Sequence, residues 1–309
     1  MSDSANVVLR FVLYVDLMLL FGVALFGLYS FRGQERLSGL PFRRLLTGTA
    51  GVGALLSSAG MVLMASAMSG ESDVAQLRPH LEMMLFETDV GLAWVVRMIA
   101  LVVAGLALML YPRAPTSSLL IAATAGGIAL ASLAWSGHGA MDEGSRRFWH
   151  FLADILHLLA AGAWLGALLA FVLLAQTRAL PTRAHAGLLV RAVKRFEPVG
   201  ALIVVIISVT GVVNYLFIVG PKLEEVLLSH YGILLAIKVL LFAGMLVLAA
   251  LNRFHLGPLL ERSLRDGQHR AAAHALRRSV VVEMAAALVI VGLVAWLGTL
   301  SPEGEMSGF

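Results

Sequence analysis

The chain has 309 residues, of which 59% are hydrophobic and only 14% charged, with a formal net charge of +4. Soluble domains carry about 25% charged residues, so this composition predicts a polytopic membrane protein with almost no soluble part. The absence of cysteine excludes disulfides, thiolate zinc sites and iron–sulfur clusters, which leaves His, Met, carboxylate and backbone as the only metal ligands.

A membrane helix needs roughly 20 apolar residues. Eight such runs predict spans over 8–31, 45–68, 90–111, 118–136, 148–175, 198–219, 231–251 and 279–300. The expected fold class is all-α, one eight-helix transmembrane domain over 1–309, because lipid-exposed backbone must satisfy its own hydrogen bonds. The runs are continuous, not alternating, which excludes a β-barrel. The first run is preceded by a single basic residue, Arg10, and is long enough to span, so no cleavable signal is expected. It carries Asp16. The second holds Gly48, Gly51, Gly53 and Gly60 and ends on a Met61, Met64, Met68 stripe. The following loop adds His80, Met83, Met84 and Glu87, and the third run carries Arg97. The turn after the fourth contains Ser136-Gly137-His138-Gly139 and then Met141. Pro198 opens the sixth run, where a missing N–H costs nothing. That run carries Asn214, the seventh opens at His230 and carries Lys238, and the eighth carries Glu283.

The fifth run is the most informative. His150, Asp154 and His157 follow the i, i+4, i+7 rule and so lie on one stripe of a helix. A carboxylate in hydrocarbon costs roughly 2.5–3.5 kcal/mol even by insertion scales. Two imidazoles beside it point to a metal or proton site. The same span contains Gly162 and Gly166 in a GxxxG pattern that suits close helix packing.

Most of the 23 Lys and Arg fall in loops 32–44, 112–117, 176–197 and 252–278. The positive-inside rule therefore places both termini outside, on the periplasmic side in a Gram-negative cell. The basic balance reads as this loop charge, with the lipid bilayer as partner and no nucleic acid. By the helical rise, Asp16, Arg97, Asp154, His157, Asn214 and Lys238 share a depth roughly 8–14 Å below the outer surface. Two readings of this layer stand. It is a cavity open to the outer face with Asp154 and His157 at its base, or a network of ion pairs in which Arg97 and Lys238 balance Asp16 and Asp154. Glu283 lies near the inner end of its span, where it caps or pairs with Arg253 or Arg277.

The outer side also gathers ligands. His138 can meet His150 across a short hairpin, and Met141, Met68, His80, Met83, Met84 and His230 are further candidates. Thioether with imidazole and no thiolate suits copper, Cu(I) or Cu(II), better than zinc or magnesium. Methionine is equally an ordinary core filler. Two other readings use the same residues: haem held between membrane histidines in a redox protein, and a proton-coupled transporter of another solute. No nucleophile–base pattern or phosphate loop is present, so an enzyme is not expected.

Ser136-Gly137-His138-Gly139, the stretch from His157 through Trp164 to Gly166, Arg195-Phe196, Thr210-Gly211, the run from Tyr231 to Lys238, Asn252-Arg253 before Pro258, and Glu283 together resemble the bacterial copper-resistance membrane protein family CopD, also called PcoD. The resemblance covers the whole chain in span number and its second half in motifs. It implies a multi-pass inner-membrane protein of copper homeostasis and resistance that moves copper from periplasm to cytoplasm. It also implies a small periplasmic copper-binding partner, CopC, acting in trans.

Overall fold

The computed structural model describes residues 2–70, 73–136, 144–176, 183–220, 230–266 and 269–298. Among these, every regular element is helical. Eight helices are long and apolar enough to cross a membrane: Ser4–Ser30, Phe42–Ser69, Asp89–Met109, Pro115–Trp135, Gly144–Leu174, His185–Ile218, Tyr231–Arg265 and Arg270–Leu297. All eight expected spans are present. Arg10 Nη1 donates to the Gly298 carbonyl at 3.0 Å, so the start of the first span and the end of the last lie at one face, called the first face below.

The first, fourth and fifth spans are the most buried, and the sixth and seventh the least. The first and fifth cross with backbones in contact. A Cβ on Gly22 would sit 2.0 Å from the Gly162 carbonyl oxygen, and one on Gly166 would sit 2.2 Å from the Gly22 carbonyl carbon. The GxxxG pattern thus lets two helices touch where any side chain would hold them apart. The glycines of the second span behave otherwise. Gly48 and Gly51 face open space, and only Gly53 is pressed, by the Asp16 carboxylate. Towards the opposite end of the spans, the second face, the core is aromatic: Phe26 meets Phe171 edge-on at 5.2 Å, and Phe171 meets Phe196 at 5.3 Å. Such pairs add about 0.5–1.5 kcal/mol beyond their burial.

The boundaries depart from expectation where polar residues extend a helix. The sixth helix runs Arg183–Ile218, so Pro198 lies inside it and does not open it. At 1.5 Å per residue it is about 54 Å long, well beyond a hydrocarbon core of about 30 Å. Its basic extension is held by ion pairs that hydropathy does not see. Arg191 meets Glu35 at 2.8 Å, Arg195 meets Glu35 at 3.3 Å, and Lys194 meets Glu261 at 2.8 Å. The last helix likewise begins at His269. The segment expected as a loop around His80 contains the helix Val74–Glu87. Pro258 sits in the first turn of a further helix, Gly257–Arg265, where it needs no N–H. Within the seventh span, between the helix His230–Leu251 and that further helix, lies a π turn, Asn252–Leu256.

Candidate functional site

The fifth and sixth spans face each other through two polar rungs. Asp154 and His157 are three apart on one helix, Thr210 and Asn214 four apart on the other, so each pair shares a helix face. Asn214 Nδ2 donates to Asp154 Oδ1 at 2.7 Å. One turn deeper, His157 Nδ1 lies 2.9 Å from Thr210 Oγ1. The Thr210 hydroxyl donates its only proton to the Ile206 carbonyl at 2.6 Å, the usual back-bond of a helical threonine. Its oxygen can therefore only accept. With the hydroxyl so engaged, the contact favours the tautomer that has the hydrogen on His157 Nδ1 and the lone pair on Nε2. His150 completes the stripe: it is 1% exposed, its Nε2 lies 3.8 Å from Asp154 Oδ2, and its ring stacks on Phe217 at 5.0 Å.

Asp154, His157, Asn214 and Lys238 line one cavity of about 180 Å³. Arg10, Tyr14, Tyr215 and Tyr231 line it too, residues that sequence reasoning left out. Thr210 was also missed as a site residue, although its i, i+4 relation to Asn214 was there to be read. Asp16 and Arg97 do not join this cavity. Arg97 donates to Ser132 Oγ at 2.8 Å, not to Asp16. Asp16 packs against the notch at Gly53, and its buried Oδ2 has no hydrogen-bond partner.

The methionine candidates divide. Met61 and Met84 are buried with Ala65 and Leu77 in a small core of their own, while Met64, Met68 and Met83 are exposed. None of them, nor His80, lines the cavity with His157. His138 and Met141 lie outside the described residues, as does the side chain of His230. Among the described residues, no group of three His, Asp or Glu is gathered as a ready metal cage.

Glu283 is 2% exposed and accepts from two neutral donors: the Trp164 indole at 2.7 Å and Asn252 Nδ2 at 2.9 Å. Arg253 lines the same cavity, of about 420 Å³, but its guanidinium lies over the Phe254 ring and no ion pair joins it to Glu283 among the described residues. The π turn points the Asn252 amide inwards and replaces the expected ion pair.

A family model for the N-terminal domain of copper resistance protein D-like proteins matches residues 1–149, and one for copper resistance protein D matches 190–297. The chain is 53% identical to "Copper resistance protein D" of Pseudomonas syringae pv. tomato, over 99% of both chains. It is 28% identical to "Inner membrane protein YebZ" of Escherichia coli, over 96% of this chain and 98% of that one. "Copper transport protein CutJ" of Bacillus subtilis is 29% identical over 79% of this chain and 45% of its own length. No solved structure matches.

Proposed function

The chain belongs to the copper resistance protein D family, and from that premise we propose that it binds copper in the Asp154–His157 cavity and passes it across the bacterial inner membrane. The observation that carries this reading is the His157 ring, which lines one cavity with Asp154 and meets Thr210 through Nδ1, leaving the Nε2 lone pair for a metal. Metal-ligating histidines characteristically donate their other N–H to an oxygen in this way. Imidazole with carboxylate suits Cu(II), so the cavity takes the divalent ion or receives Cu(I) with ligands from elsewhere.

In this reading the first face is periplasmic. His150, with His138 and Met141, supplies further ligands on the entry side, and a small periplasmic protein of the CopC type delivers the ion. Lys238 is the resident counter-cation of Asp154 and gives way when copper enters. Arg10 is already engaged by the Gly298 carbonyl and takes no further part.

The test is metal content and visible absorption of the full chain purified in detergent, with His157→Ala in parallel. Copper that co-purifies stoichiometrically and is lost in the variant supports the reading. Equal copper in both proteins removes it, and a Soret band would make haem the ligand.

A further inference from the structure

We propose that Glu283 is a proton-exchange site, separate from the Asp154–His157 cavity and served by the second cavity towards the opposite face. Trp164 lies seven residues beyond His157 on the same helix, about 10 Å deeper by the helical rise. The carboxylate it contacts is buried, yet its two hydrogen bonds come from an indole N–H and an amide N–H, neither of them a cation. A buried carboxylate without a cationic partner is costly, so such a group takes up either a cation or a proton.

The surroundings are built for the proton. The indole N–H is donor-only and serves Oε1 in either state. Asn252 offers Nδ2 to the ionised Oε2, while its own Oδ1 is buried with no partner. When a proton binds to Oε2, an O–H bond forms there and the amide turns over, so that Oδ1 accepts it. Both protonation states are then fully hydrogen-bonded by the same two side chains. Asn252 belongs to the π turn, a type of local irregularity often found at functional sites. The adjoining cavity of about 420 Å³ is large enough for several waters at about 30 Å³ each. Its other polar lining groups are Glu197 of the sixth helix and Arg253 of the π turn. On the last helix itself, the nearest charges are Arg277 and Arg278, more than a turn away. Use of this proton as the coupling ion of transport rests on the copper reading, but its binding does not.

The test is infrared titration of the metal-free full chain in lipid nanodiscs, in H₂O and D₂O. A neutral-carboxyl band that titrates with pH, shifts in D₂O, is absent from Glu283→Gln and persists in Asp16→Asn is the expected result. Asn252→Leu should keep the band and move its midpoint. No band lost in Glu283→Gln at any pH would overturn the proposal. Should that variant fail to insert, an unmoved midpoint in Asn252→Leu overturns it alone. Because no copper is present, failure of the His157 site leaves this result untouched.

Discussion

At the residue scale the candidate site is an arrangement of few donors, each with one task. Thr210→Val removes the oxygen that accepts the His157 Nδ1–H, which releases the ring to rotate and change tautomer. Copper affinity should fall roughly 10–100-fold, the usual cost of losing such a support, with the chain still folded. A copper titration of the purified variant against its helical content checks both halves of that statement. Lys238→Met acts in the opposite direction on affinity. On the proposed pairing of Lys238 with Asp154, it removes a cation that competes with copper, so binding should tighten. On the same pairing it leaves Asp154 without a counter-charge, so the metal-free protein should lose on the order of 3 kcal/mol. Unchanged affinity would mean that Lys238 serves another partner. The stripe of His150, Asp154 and His157 was legible because spacing along one helix fixes both depth and direction. The grouping of Asp16 and Arg97 with it failed because depth alone was read across different helices. Rise per residue says nothing of rotation about the axis, and these two side chains turn towards Gly53 and Ser132.

At the element scale, hydropathy located every span because lipid imposes length and apolarity on each. It missed the polar prolongations of the sixth and last helices, and that of the sixth is supported by residues distant in sequence. Glu35 is the centre of that support. Burial opposes its ionisation, but the Arg32 backbone N–H and the Arg191 and Arg195 guanidiniums outweigh this and hold its carboxyl below the ordinary range. A group with a depressed folded value adds stability above its unfolded value and loses it as pH falls through the folded one. Acidification below the ordinary carboxylate range should therefore release the extension of the sixth helix. The loss is under about 1 kcal/mol because the pair is partly exposed. Amide exchange over residues 185–197 at two pH values reads it, and Glu35→Gln should show the acid behaviour at neutral pH. The glycine crossing makes a larger prediction. Gly166→Ala brings a methyl group to 2.2 Å from the Gly22 backbone, which only separation of the first and fifth spans can relieve. Overpacking of this kind costs roughly 1–3 kcal/mol or more, and thermal unfolding in detergent should show it. Gly51→Ala, which meets open space, should be silent in the same assay.

At the scale of the whole molecule, the first span ties together segments far apart in sequence. It bonds the end of the last span through Arg10, crosses the fifth at Gly22, and carries Phe26 of the aromatic core. The polar cavity is lined by residues of the first, fourth, fifth, sixth, seventh and last spans together. The two cavities, one with Asp154 and His157 and the other with Glu283, are offset along the fifth span towards opposite faces. Transport across such an arrangement has a direction only if the bundle has one orientation in the membrane, and loop charge predicts it: both termini in the periplasm. The lack of native cysteine makes a clean test possible. Ser145→Cys places a thiol at the exposed start of the fifth helix on the first face, and Asp266→Cys places one at the exposed turn on the second. In spheroplasts a membrane-impermeant maleimide should label Ser145→Cys at once and Asp266→Cys only after lysis. The reverse pattern would turn the molecule over. The Asp154–His157 cavity would then face the cytoplasm, and the same ladder of donors would have to collect copper for export.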